Sequence, residues 1–108
     1  MNNKIAEIEV YGAEVLCASC VNQPSAKDTF EWLQAALSRK YPGQPFNMIY
    51  VDIFQPPETE VLKQVAEKII VEDLFYPLVR LNGEIVAEGT VSLKKVNEKM
   101  IELGYQPA

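Results

Sequence analysis

Hydrophobic periodicity switches from two residues to about 3.6 and back within the first half of this chain. Few folds accommodate that order. Ile8 and Val10 alternate with Glu7 and Glu9, which predicts a strand over residues 5–11 that closes at Tyr11-Gly12-Ala13. Ala26, Phe30, Leu33 and Leu37 then recur at helical spacing, predicting a helix over residues 25–40. Pro24 suits its first turn and Tyr41-Pro42-Gly43 ends it. Residues 46–54 form a nearly continuous apolar run rich in aromatic and β-branched residues, a second strand. A strand, helix and strand in this succession call for a parallel pair with a right-handed crossover.

The second half completes the pattern. Pro56-Pro57 breaks the second strand and opens a helix whose apolar positions are Val61, Leu62, Val65, Ala66, Ile69 and Ile70. Asn82-Gly83 between residues 78–81 and 84–88 is a strong hairpin signal. Ser92 can cap a last helix with Leu93, Val96, Met100 and Leu103 inward. The order β-α-β-α-β-β-α predicts a mixed four-stranded sheet with helices on both faces, a three-layer α/β/α domain spanning residues 1–108. No internal repeat, low-complexity stretch or linker divides it.

The 108 residues carry a net charge of −5 and no basic stripe, so no nucleic-acid partner is expected. No apolar run approaches the roughly 20 residues that span a bilayer, so no membrane partner is expected either. The start, Met1-Asn2-Asn3-Lys4, leads into a strand rather than a signal peptide, and a cytoplasmic location is the expectation. Histidine is absent, which excludes Ser-His-Asp and Cys-His nucleophile systems and histidine metal ligands.

What chemistry remains centres on the only two cysteines, set as Cys17-Ala18-Ser19-Cys20 between the first strand and the first helix. That placement is a redox signature, because exposed amides at a helix N-terminus favour a thiolate. Cys17 would attack and Cys20 resolve. Lys27 would lower the Cys17 pKa and Glu14 would oppose it. A structural staple closing so short a ring would contribute about 2 kcal/mol before strain, a gain seldom realised in a reducing cytosol. Small and polar neighbours (Ala18, Ser19, Asn22) argue against a buried, inert pair. Two rivals stay open. Cys17 and Cys20 from two copies could hold a metal or iron–sulfur cluster, or the domain could be an interaction module with incidental thiols.

These segments resemble the thioredoxin superfamily over almost the whole chain. Tyr11-Gly12-Ala13 leading to Cys17-Ala18-Ser19-Cys20 is similar to that superfamily's strand-to-active-site segment, and Tyr50-Val51-Asp52-Ile53 to its second parallel strand. Phe75-Tyr76-Pro77-Leu78-Val79 resembles its proline-before-strand motif, and Val86-Ala87-Glu88-Gly89 its last strand and glycine turn. The segment from Tyr11 to Asp52 is closer still to the YuzD-like family of short bacterial proteins, whose fold is thioredoxin-like and whose function is unassigned. The resemblance implies a thioredoxin-like fold, thiol–disulfide exchange, and a cis Pro77 that faces the thiols and, with Tyr76, positions a substrate backbone. Leu16 stands where thioredoxins carry tryptophan, and Ala18-Ser19 replaces their Gly-Pro, so their reduction potential does not transfer.

The expected activity is therefore thiol–disulfide oxidoreduction. Cys17 and Cys20 are the catalytic pair, Tyr76 and Pro77 the substrate-binding segment, and no metal or tightly bound organic cofactor is required. The partner would be a protein or a small-molecule thiol or disulfide. Glu58, Glu60, Glu67, Glu72 and Asp73 read as a solvated face, Trp32 as a packing or surface aromatic, Asp52 as part of the turn out of the second strand, and Gly89 as a permissive turn.

Overall fold

The computed structural model describes residues 5–13 and 26–108. Its elements are β1 (Ala6–Gly12), α1 (Ala26–Lys40), β2 (Phe46–Asp52), α2 (Glu60–Val71), β3 (Leu78–Leu81), β4 (Glu84–Glu88) and α3 (Leu93–Glu102). They form one four-stranded sheet of order β2-β1-β3-β4. β1 and β2 run parallel with Ala6 beside Phe46 and Gly12 beside Asp52. β3 is antiparallel to β1, with Tyr11 beside Leu78, and β4 is antiparallel to β3. This is the thioredoxin-like α/β/α arrangement expected from the periodicity.

Alternation along β1 sorts the two faces. Ala6, Ile8 and Val10 point to one side, where they pack with Leu33 and Leu37 of α1, Val79 and Leu81 of β3, and Val96 and Met100 of α3. Tyr11 points to the other side, where Val51, Ile53 and Leu78 meet Leu62, Ala66 and Ile69 of α2. Two apolar layers thus sandwich the sheet, and their burial is the main stabilising term. The hairpin turn is as the sequence demands: Asn82 and Gly83 have φ of +50° and +85°, the values a two-residue loop between twisted strands requires.

Three boundaries and faces differ from expectation, each for a local reason. β2 stops at Asp52 rather than residue 54, because the Asp52 carboxylate accepts the Phe54 N–H at 3.0 Å and turns the chain out of the sheet. On α2, Val61 and Ile70 are about half exposed rather than inward. Each sits one residue, about 100° of rotation, from the buried line of Leu62, Ala66 and Ile69. Ser92 does occupy the N-cap position of α3, but its side chain makes no capping hydrogen bond; its carbonyl accepts the Val96 N–H at 3.3 Å. Leu93 and Leu103 are half-buried against the core.

Among the described residues no helix is long and apolar enough to cross a membrane.

Candidate active site

Parallel strands gather their C-terminal ends at one edge of a domain, and here that end holds the start and finish of the thiol segment. β1 closes at Gly12, and the described chain resumes at Ala26, the first residue of α1. The two meet directly. A Cβ on Gly12 would lie 2.0 Å from the Ala26 Cβ, so only glycine lets the first turn of α1 seat on the end of β1. The Gly12 carbonyl accepts the Ile53 N–H at 2.8 Å, which ties the exits of β1 and β2 together. Cys17 and Cys20 lie in residues 14–25, outside the described residues, as do Glu14, Leu16, Ala18, Ser19, Asn22 and Pro24. The arrangement of the pair, and a metal shared through it, lie outside with them.

The second expected segment comes to the same end. The β1/β3 register of Tyr11 beside Leu78 carries Pro77 to the level of Gly12, next to the strand exit from which the thiol segment departs. The Tyr76–Pro77 peptide bond is cis. Tyr76 is half exposed and Phe75 largely so, and both stand at the rim of this end.

Two residues hold that rim in place. The Gly89 N–H donates to the Pro77 carbonyl at 2.9 Å, and the Glu88 carboxylate accepts the Phe75 N–H at 3.1 Å. Gly89 has φ of +86° and a Cβ there would press on the Phe75 side chain at 3.1 Å, so the permissive turn expected at Gly89 also allows a close approach. Sequence reading assigned Glu88 only to a strand end. A carboxylate closing β4 beside a glycine was the available signal, and nothing in it named an amide thirteen residues earlier as the partner.

Behind the site, on the α2 face, a polar cluster braces the two central strands, β1 and β3. The Tyr11 hydroxyl donates to Glu9 at 2.5 Å and accepts from Arg80 at 3.3 Å, and Arg80 pairs with Glu9 at 3.2 Å. Burial, and next the Glu9 carboxylate, raise the Tyr11 pKa well above the usual tyrosine range. The five acidic residues expected to be solvated are all exposed, one before α2, two on it and two after it, and Trp32 is a half-exposed surface aromatic.

Comparison with known proteins agrees with this frame. A family model described as "Protein of unknown function (DUF1462)" matches residues 9–101. "Putative disulfide oxidoreductase YuzD" of Bacillus subtilis (strain 168) is 58% identical over 98 residues, 91% of each chain. The crystal structure of a protein of unknown function from Staphylococcus aureus is similar at 40% identity and a TM-score of 0.77, covering 94% of this chain and 95% of that one. The YuzD-like resemblance read from residues 11–52 thus extends over nearly the whole sequence. The matched span starts within β1 and ends within α3, taking in both the thiol segment and Pro77, and on that extent the chain belongs to the DUF1462 family.

Proposed function

We propose that the protein is a thiol–disulfide oxidoreductase in which Cys17 attacks and Cys20 resolves. The observation that carries this reading is the meeting of Gly12 with Ala26 beside Pro77: it returns both ends of the cysteine-bearing segment to one place, next to a half-exposed Tyr76. The N-terminus of a fifteen-residue helix lies at that place too, and its partial positive charge favours a thiolate. The name of the Bacillus relative points to the same chemistry.

The cycle balances without a cofactor. The Cys17 thiolate attacks one sulfur of a substrate disulfide; that bond breaks, a mixed disulfide forms, and the departing thiolate takes up a proton. Cys20, deprotonated, attacks the Cys17 sulfur and releases the second substrate thiol. Two electrons have passed from the dithiol to the substrate, leaving a Cys17–Cys20 disulfide for a low-molecular-weight thiol or another protein to reduce. The reverse sequence oxidises a substrate dithiol. Tyr76 and the backbone at Pro77 align the incoming chain.

Trapping tests the scheme. The Cys20→Ala variant, lacking the resolving thiol, should accumulate mixed disulfides on Cys17 that reductant releases, and the Cys17→Ala/Cys20→Ala double variant should accumulate none. Equal yields from the two variants would overturn the assignment.

A further inference from the structure

The two edges of the sheet are built differently. β4 has five residues, glutamate at both ends, and a bulge where its pairing with β3 shifts between Val79 and Arg80. Short length, charge and bulges all discourage a further strand. β2 is the opposite edge, seven residues long, in unbroken register with β1, and it carries no charge before Asp52. Ile49 at its centre is 42% exposed. Among the described residues nothing pairs with its outer side, and such a strand is a template for another.

The helix above that edge is matched to itself. Tyr41 follows α1 with a continuing helical bond to the Leu37 carbonyl, and its hydroxyl is bonded to Asn97 of α3, so this side of α1 faces α3 and the β4 half of the sheet. At about 100° per residue, Trp32 lies about 180° away, on the β2 side of α1, and Asp28 and Arg39, within about 40° of it, stand further from the buried line of Ala26, Leu33 and Leu37, on the outer rim of that flank. The flank is acidic towards one end and basic towards the other, with a half-exposed tryptophan between.

We propose that a second copy of this chain docks antiparallel along β2, about a two-fold axis through Ile49, joining two four-stranded sheets into one. The pairing sets Asn47 opposite Val51 of the second copy and Met48 opposite Tyr50, so each face of the sheet continues unbroken. The same axis serves the helices. Asp28 and Arg39 exchange about the point between Leu33 and Gln34. Measured from Ala26, which sits on Gly12 at the level of Asp52, that point is about 11 Å along α1. Ile49 is about 10 Å back along β2 from the same level. One rotation therefore pairs strand with strand and brings Asp28 of each copy towards Arg39 of the other. This is an isologous interface.

Antiparallel docking sets the two β1 exits at opposite ends of the joint sheet, more than about 20 Å apart. Each copy keeps its own thiol segment and its own Tyr76–Pro77 rim, and the dimer does not depend on the chemistry of either.

Sedimentation equilibrium on the full, reduced chain decides the matter, with circular dichroism confirming that each variant is folded. The expected result is a reversible dimer. Ile49→Lys should weaken it at least about tenfold, Arg39→Asp several-fold, and Arg39→Asp with Asp28→Arg should recover part of the loss. A monomer at every concentration, or a dimer unaffected in either folded single variant, would overturn the proposal. So would a full chain that stays monomeric and dimerises only after removal of residues 1–4, because the edge would then be covered by the chain's own start.

Discussion

Two helices finish in the same backbone motif with different residues at its left-handed position. After α3 that residue is Gly104, and the Tyr105 N–H reaches back to the Met100 carbonyl at 3.1 Å; after α2 it is Asp73, and the Leu74 N–H reaches the Ile69 carbonyl at 3.0 Å. Replacing Asp73 by glycine should raise stability by about 0.5 kcal/mol in urea denaturation, net of glycine's larger chain entropy. The motif after α3 delivers Tyr105 into the core, where its hydroxyl accepts the Ala6 N–H at 3.0 Å and donates to the Pro45 carbonyl, bridging the starts of β1 and β2. Tyr105→Phe strands that buried amide and should cost about 1–3 kcal/mol on the same measurement. Burial also raises the pKa of Tyr11 and Tyr41, so at least two of the five tyrosines should ionise above the ordinary value of 10.0 in an ultraviolet titration. In the unfolded chain these phenols lose their protons first. Their contribution to stability is therefore complete below about pH 10 and is lost as pH rises from there towards the native values. At this scale the Asn82-Gly83 turn was legible because adjacent residues specify it. The Glu9–Tyr11–Arg80 cluster was not, because its members come from β1 and β3 and meet only after the strands pair.

Helices and strands were readable from periodicity because each buries a single stripe or face; their limits were not, because those depend on single polar contacts. Asp52 read as part of the turn out of β2, but that its carboxylate takes the Phe54 amide and ends the strand two residues early was not legible in the apolar run. Val61 and Ile70 counted towards an apolar face but lie beyond the width that the sheet covers. The junction of β1 with α1 is where an element contact matters most to function. Gly12→Ala would drive a methyl into Ala26 and should cost about 1–3 kcal/mol, as overpacking does, together with slower thiol exchange. Adding Ala26→Gly removes the clash, so the double variant should recover most of the lost stability in a double-mutant cycle. At the other rim, Glu88→Ala releases the Phe75 amide and should weaken substrate exchange more than Glu88→Gln, which keeps an acceptor.

Taken whole, the molecule brings the exits of β1 and β2, the approach to β3 and the end of β4 to one edge of the sheet. The strand order follows from the crossover and the hairpin, both visible in the sequence, and with it the neighbourhood of Gly12 and Pro77. What the sequence left hidden is how the Pro77 segment is held, since Gly89 and Glu88 act through a main-chain carbonyl and a main-chain amide that have no sequence signature. The proposed chemistry depends on the thiol segment leaving this edge beside the α1 N-terminus. The direct measurement is the rate of Cys17 alkylation against pH in Cys20→Ala, read by mass spectrometry. A midpoint clearly below the roughly 8.5 of a free thiol is the predicted result; a midpoint at or above that value would contradict the account.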